Sequence, residues 1–205
     1  MNPGSQDEQD RDAMARLAGG EDRALNELMQ RYGERLFQFL MRELQNESEA
    51  GDVAEEAFVR VYQNRQRFDA RHKFTTWLYA IATNLVRDRY RWRSRHPEVS
   101  TDAQTDRIES GWFAQLSDPA PGPSETLEKA ERAESVRQAI ASLPEELRTP
   151  LILAEYEGFS QAEIAQVLEC SAKAIEMRLY RARQQLRTGL ADFLSDTKAD
   201  HAAGA

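Results

Sequence analysis

Wherever the apolar residues of this chain form a pattern, they recur at three- and four-residue steps. The stretch ALNELMQRYGERLFQFLMREL places Leu25, Leu28, Met29, Tyr32, Leu36, Phe39 and Leu40 along one stripe. That spacing matches the 3.6-residue helical period, not the two-residue period of a strand. AGDVAEEAFVRVYQN repeats it with Val53, Ala57 and Val61, with Phe58 and Tyr62 beside them. FTTWLYAIATNLVRDRYRWRSR carries Trp77, Leu78, Ile81, Ala82 and Leu85 at similar steps. No alternating apolar–polar run of any length competes with these segments. The pattern predicts an all-α fold.

Residues 96–125 interrupt it. HPEVSTDAQTDRIESGWFAQLSDPAPGPSE is acidic, rich in Ser, Asp and Pro, and reads as a linker. The expected organisation is therefore two small helical domains joined by a flexible linker: an N-terminal helical bundle over 10–95, the linker over 96–125, and a C-terminal helix-turn-helix bundle over 126–193. Trp112 and Phe113 are unusual in a linker; they either tuck onto a neighbouring domain or anchor a partner protein.

In the C-terminal block, Ser142, Pro144 and Glu145 predict a capped helix start, and Gly158 a stop. Ser160 with Glu163 predicts a second capping box, and Ser171 caps a last helix. On that helix Ile175, Leu179, Ala182 and Leu186 form the inward stripe, facing Ile164, Ala165 and Leu168, with a tight turn at Glu169 and Cys170 between. Ala172, Lys173, Glu176, Met177, Tyr180, Arg181 and Arg183 are left facing out. A capped helix, a tight turn and a second helix carrying arginines is how a DNA-reading unit is built. Its first turns enter a major groove and later arginines reach phosphates.

The formal net charge of −8 argues against a polyanion partner until it is resolved along the chain. Residues 1–56 hold six Arg against fourteen Asp and Glu, whereas residues 57–96 hold ten Lys and Arg against two acids. The last helix is also basic. Two basic islands in an acidic frame suit contact with nucleic acid through the islands and with protein through the frame.

Several function classes are disfavoured. Cys170 stands alone, so no internal disulfide forms, and it is expected to be a small buried residue of the turn. His72, His96 and His201 have no ligand spacing, so no metal or other cofactor is expected. The acidic N-terminus has no signal-peptide character and no apolar run is long enough to span a bilayer, so no membrane insertion is expected and the chain reads as cytoplasmic. There is no glycine-rich phosphate loop and no nucleophile with a partner histidine, which speaks against an enzyme.

These residues resemble a known family, the extracytoplasmic-function group of bacterial sigma factors. SLPEELRTPLILAEYEGFSQAEIAQVLECSAKAIEMRLYRARQQLR is similar to the family's −35-reading domain, with LPEELR, EGFSQAEIA and RLYRAR the specific pieces. GDVAEEAFVRVYQN followed by FTTWLYAIATNLVRDRYRWRSR is similar to its core-binding and −10-reading domain. The resemblance runs over roughly residues 10 to 190, in two blocks in the family's order.

It implies an alternative sigma factor, associated with the nucleoid, that directs core RNA polymerase to promoters and is held inactive by an anti-sigma factor. By the same resemblance, Asp52, Glu55, Glu56, Phe58 and Arg60 would grip the β′ clamp helices, with the β subunit a further contact. Trp77 would brace the −10 reader, and Asn84 would lie next to the loop capturing an unstacked base. Arg87, Arg89, Arg91, Arg93 and Arg95 would follow the melting backbone. Lys173, Glu176, Met177, Arg178, Tyr180, Arg181 and Arg183 would meet the −35 element. The acidic linker would thread toward the RNA exit channel. At the start of the last helix the chain reads Lys173, Ala174, Ile175, Glu176, Met177 where the family often has Gly-Thr-Val-Lys-Ser. A base-facing Glu176 favours a donor such as cytosine N4. A competing reading is a free-standing helix-turn-helix regulator that binds duplex operators alone, usually as a dimer. The basic, aromatic segment from Phe74 to Arg95 argues against it, since a sensor domain has no use for a strand-melting surface.

Overall fold

In the computed structural model, the structure describes the backbone of residues 3–96 and 126–191 and the side chains of 6–96 and 133–191. All the regular structure there is helical. The order is α1 (Pro3–Ala18), α2 (Arg23–Leu44), α3 (Glu47–Gln63), a short 3-10 turn (Arg65–Arg67), α4 (Phe74–Arg95), α5 (Thr126–Ala141), α6 (Glu145–Glu155), α7 (Gln161–Val167) and α8 (Ala172–Gly189). The expected linker segment, with Trp112 and Phe113, lies outside the described residues, as does the chain after 191.

Helices α1 to α4 form one bundle. Leu28, Leu36, Phe39 and Leu40 of α2 pack against Val53, Ala57, Phe58 and Val61 of α3 and against Phe74, Leu78, Tyr79 and Ala82 of α4, all essentially buried. Asn46 starts α3 by accepting the Glu49 N–H at 2.9 Å. Gln45 adopts a left-handed conformation, φ 54°, to end α2 one residue earlier. The predicted stripes hold in outline: Leu25 and Met29 of α2, Tyr62 beside the α3 stripe, and Trp77 and Ile81 of α4 are only half-buried, and Tyr79 takes a deep position on α4. Helix α1 is not evident from periodicity, because its acidic composition masks Ala13, Met14 and Leu17, which are fully buried. Asp10, 1% exposed, is held by Arg31 and by the Tyr32 hydroxyl, so this carboxylate docks α1 rather than facing a partner.

Helices α6, α7 and α8 form the second unit. Ser160 and Glu163 make the expected reciprocal capping box, and Ser171 accepts the Ala174 N–H at 3.2 Å. Glu169 turns the chain at φ 52°, and Gly158 follows α6 at φ 69°. Ile164 and Leu168 meet Ile175, Leu179 and Ala182 as the spacing requires, and Val167 joins them.

The expected cap at Ser142 does not form. Pro144 itself occupies the N-cap position, and the Ser142 hydroxyl donates to the Ala139 carbonyl at 2.8 Å. Ser142 lies too far ahead of α6 to reach its free N–H groups, and the nearer need is an open carbonyl at the end of α5.

The two units share one continuous core. Phe159, after α6, lies against Tyr79 of α4 with ring centroids 5.0 Å apart. Helix α7 packs on α4 and α6 on α2.

Candidate nucleic-acid interface

Helix α4 carries the first candidate surface. Asn84, Arg91 and Arg95 lie on one exposed line, because steps of seven and four residues return to the same side of a helix. Arg91 is 3.4 Å from Asp88, and Arg95 Nε donates to the Arg91 carbonyl, so both guanidinium groups keep free donors at the solvent. The five arginines proposed to follow DNA stand at alternate positions, however, and a helix turns about 200° in two residues. They cannot share a face. Arg89 is exposed on another side. Arg93 points back to Glu49 of α3 and is held there. Arg87 faces the second unit, 3.7 Å from Glu145. Of the five, Arg91 and Arg95 share an exposed line with Asn84, and Arg89 is exposed on another side. Trp77 is half-buried against Phe68 and Phe74, with centroids at 5.3 and 6.3 Å, and stiffens the segment entering α4.

The far end of α4 holds a residue that periodicity did not single out. Trp92 is 45% exposed and stacks on the His96 imidazole, centroids 4.9 Å apart and planes 22° from parallel. Its position off the buried stripe was the available signal.

Helix α8 carries the second surface. Lys173, Glu176, Met177, Tyr180, Arg181 and Arg183 are exposed, Met177 at 42% and Tyr180 at 62%. Lys173 donates to Glu176 at 2.9 Å, and Arg183 reaches Glu155 at 2.7 Å. Exposed pairs of this kind are weak, so both can re-form on DNA. Arg178 departs from the expected set. It is half-buried on the other side of α8, with Nη1 3.8 Å from Cys170 Sγ. There it lines a cavity of about 230 Å³ between the units with Arg87 and Glu145. Cys170 is half-buried.

The acidic face of α3 is distinct from both. Asp52 and Glu55 are exposed, and Glu56 takes Arg60 Nε at 2.9 Å. Phe58 is 2% exposed and lies in the core, where it positions α3. The apolar residue this face offers is Val59, 46% exposed and one turn from Glu55. An apolar residue on the polar side of the 3.6-residue pattern was the sign of it.

Between the two surfaces runs a seam of polar contacts with no sequence signature. Glu157, 4% exposed, accepts Arg35 Nε at 2.7 Å and the Tyr79 hydroxyl at 2.6 Å, and Arg35 also donates to the Glu157 carbonyl. Burial beside this carboxylate pushes the Tyr79 hydroxyl far up. Glu43, 1% exposed, accepts Arg148 Nε at 3.2 Å with one oxygen, while the other has no hydrogen-bond partner among the described residues. Burial raises Glu43 to about 7 against the attraction of Arg148. Arg148 also donates to the Tyr90 hydroxyl at 2.6 Å and to the Ala141 carbonyl at 2.9 Å. Tyr90, itself bonded to the Glu43 carbonyl, is pushed up to about 12, mainly by burial. At the rim, Lys73 meets Glu163 at 2.9 Å. Partial burial raises Glu163, but hydrogen bonds from Ser160 and Lys73 outweigh it and hold the carboxyl at about 2. Among the described residues no group of three His, Cys, Asp or Glu is placed to hold a metal. None of the described helices is long and apolar enough to cross a membrane.

Two families match this chain: Sigma-70 region 2 over residues 28–96 and Sigma-70, region 4 over residues 133–186. The RNA polymerase sigma-H factor of Pseudomonas aeruginosa is 34% identical over 190 residues, 92% of this chain and 97% of that protein. The ECF RNA polymerase sigma factor SigW of Bacillus subtilis is 33% identical over 174 residues, 84% of this chain and 92% of that protein. Among solved structures, CnrH in complex with the cytosolic domain of CnrY aligns over 90% of this chain and 98% of that one, at 29% identity and a TM-score of 0.64.

Proposed function

The chain belongs to the extracytoplasmic-function group of the sigma-70 family, and from that premise we propose how its surfaces divide the work of promoter selection. It is an alternative sigma factor, a specificity subunit of RNA polymerase and not an enzyme. The N-terminal bundle and the α6–α8 unit act as separate domains. The α3 face, with Asp52, Glu55 and Glu56 around the exposed Val59, engages core polymerase at the β′ clamp helices, and the β subunit supplies a further contact. Asn84, with Arg91 and Arg95, engages the −10 element, Asn84 beside an extruded base and the arginines on its phosphates. Lys173, Glu176, Met177, Tyr180 and Arg181 read the −35 element, where Glu176, once released from Lys173, selects a base-edge donor such as cytosine N4. CnrH occurs in complex with part of a second protein, and we propose for this chain too a protein regulator, an anti-sigma factor that engages both halves. The protein acts on the nucleoid, where its polymerase and promoters are.

The observation that carries this reading is that two exposed, cation-bearing helices, α4 and α8, stand on units that the seam holds together. Promoter elements at −10 and −35 lie about 25 base pairs apart, or ~85 Å at 3.4 Å per step. Helix α7, which leads directly into the α8 reader, packs on α4. The two readers in this arrangement cannot reach both elements at once, so the described arrangement is a closed state that opens on polymerase. Mixing the protein with bacterial core polymerase and transcribing a pool of genomic promoters tests the assignment. Co-elution with core, and transcript starts that share two upstream elements, are expected. Tight binding to duplex DNA without core polymerase, and no promoter-dependent transcription with it, would return the free-standing regulator.

A further inference from the structure

Helix α8 shows an apolar pair on its solvent side, Met177 and Tyr180, that contacts to phosphates and base-edge hydrogen bonds do not account for. Ile175 and Leu179, which fix α8 to its unit, are buried. Met177 stands two residues from each, about 200° around the helix, so it points directly away from the core. Tyr180, three residues on, lies beside it. Ser171 caps the helix by accepting the Ala174 N–H at 3.2 Å, which fixes the turn carrying Lys173 and Glu176. Those two pair at 2.9 Å on the amino-terminal side of the strip, and Arg181 is exposed on its carboxyl side. Glu176 and Lys173 can hydrogen-bond a base edge, whereas the Met177 thioether is only a weak acceptor. Two side chains are too narrow a strip for a stable protein interface, which buries about 800 Å² on each partner. They are wide enough for one methyl group. The apolar group that a major groove presents is the C5-methyl of thymine.

We propose that Met177 is a thymine reader, whose side chain covers the C5-methyl group of one thymine in the duplex −35 element while Tyr180 shields the flank of that contact from water. This inference rests on the −35 reading of α8 given above. An unbranched thioether suits the task, because it adapts its shape to a shallow apolar contact. Glu176 and Met177 then ask for opposite features of the groove. Glu176 accepts from an amino group, which cytosine carries and thymine lacks. Met177 needs a methyl group, which thymine carries and cytosine lacks. One helix turn thus holds a polar and an apolar determinant of sequence, and the apolar one discriminates where no hydrogen bond differs.

The test uses holoenzyme assembled from the full chain and bacterial core polymerase, bound to a duplex promoter fragment recovered from the transcription pool described above. Each thymine of the −35 element, on either strand, is replaced in turn by deoxyuridine, which removes the methyl group and keeps every hydrogen-bonding group. One replacement is expected to weaken wild-type binding about fourfold, the effect of one buried methyl group, and to leave Met177→Ser binding unchanged. Met177→Leu keeps an apolar tip and is expected to retain most of the discrimination. Wild-type binding indifferent to every replacement overturns the proposal, as does an equal loss in wild type and Met177→Ser, or a −35 element without thymine. Core binding is measured on the same samples. If Met177→Ser weakens core binding instead, the strip belongs to a protein interface and the proposal falls. A chain that fails to join core polymerase contradicts the sigma reading, whereas a holoenzyme that depends on the −35 element but not on its methyl groups contradicts only the thymine contact.

Discussion

The seam between the two units is fastened at two places by a buried glutamate, and the two are built differently. Glu157 comes from the α6–α8 unit and reaches into the N-terminal bundle, where Arg35 and Tyr79 both bond its carboxylate. Glu43 comes from the N-terminal bundle and meets Arg148, but one of its oxygens has no partner among the described residues and burial raises it to about 7. A buried charge stabilises an interface only when its lone pairs are filled; otherwise its lost hydration offsets the attraction. The difference teaches that one contact acts as a clamp and the other as a joint whose strength depends on protonation.

Removing the clamp gives the largest effect. Glu157→Ala leaves the Tyr79 hydroxyl buried without its acceptor and removes the carboxylate from Arg35. The two bonds lost from the carboxylate, one from the half-exposed Arg35 and one from the buried Tyr79 hydroxyl, correspond to about 2–3 kcal/mol of closure, while the Arg35 bond to the residue-157 backbone carbonyl remains. Limited proteolysis and chemical denaturation are expected to show a looser molecule at every pH. If Glu157→Ala changes closure no more than Glu43→Gln does, the comparison fails.

The joint is read by pH. A carboxyl raised to about 7 in the closed state and near 4.5 when solvated binds its proton more tightly when closed. Closure is then strongest below about 4.5 and weakens as pH rises through about 7. Glu43→Gln keeps an acceptor for Arg148 and removes the titration, so thermal unfolding between pH 5 and 8.5 is expected to lose most of its slope. A variant as pH-dependent as wild type would assign the slope elsewhere.

Arg148→Ala sharpens the same contrast. It strips Glu43 of its cation, and the cost falls as pH is lowered and the carboxyl becomes neutral. Rescue by acid is expected for Arg148→Ala and not for Glu157→Ala, measured by the same unfolding curves. The smallest effect belongs to the rim. Lys73–Glu163 and Arg87–Glu145 are partly exposed, so Lys73→Ala is expected to change closure by under about 1 kcal/mol. High salt should reproduce most of that change by screening.

Sequence reasoning located what repeats locally and missed what depends on distant partners. The stripes of α2 and α3, the Ser160–Glu163 box and the α8 core stripe each follow from residues within one or two turns, and each is present. Helix α1 escaped because three apolar residues among acids make a weak period. Glu43 and Glu157 escaped because their partners lie 105 and 122 residues away, and a single buried acid looks in sequence like any surface glutamate. The family resemblance groups the arginines from 87 to 95, although their alternate spacing on a helix gives them different faces. On α3 the resemblance named Phe58, which is buried in the closed arrangement, while its neighbour Val59 is the exposed residue.

The central claim is that one chain is closed when free and open when it reads a promoter. It is tested most directly by a distance across the seam. Spin labels at Gln63→Cys and Gln184→Cys in a Cys170→Ser background occupy exposed positions on the two units. Double electron–electron resonance should give a single short distance for the free protein at neutral pH, and a distance longer by tens of Å in holoenzyme on promoter DNA. The same short distance in both samples would contradict the account.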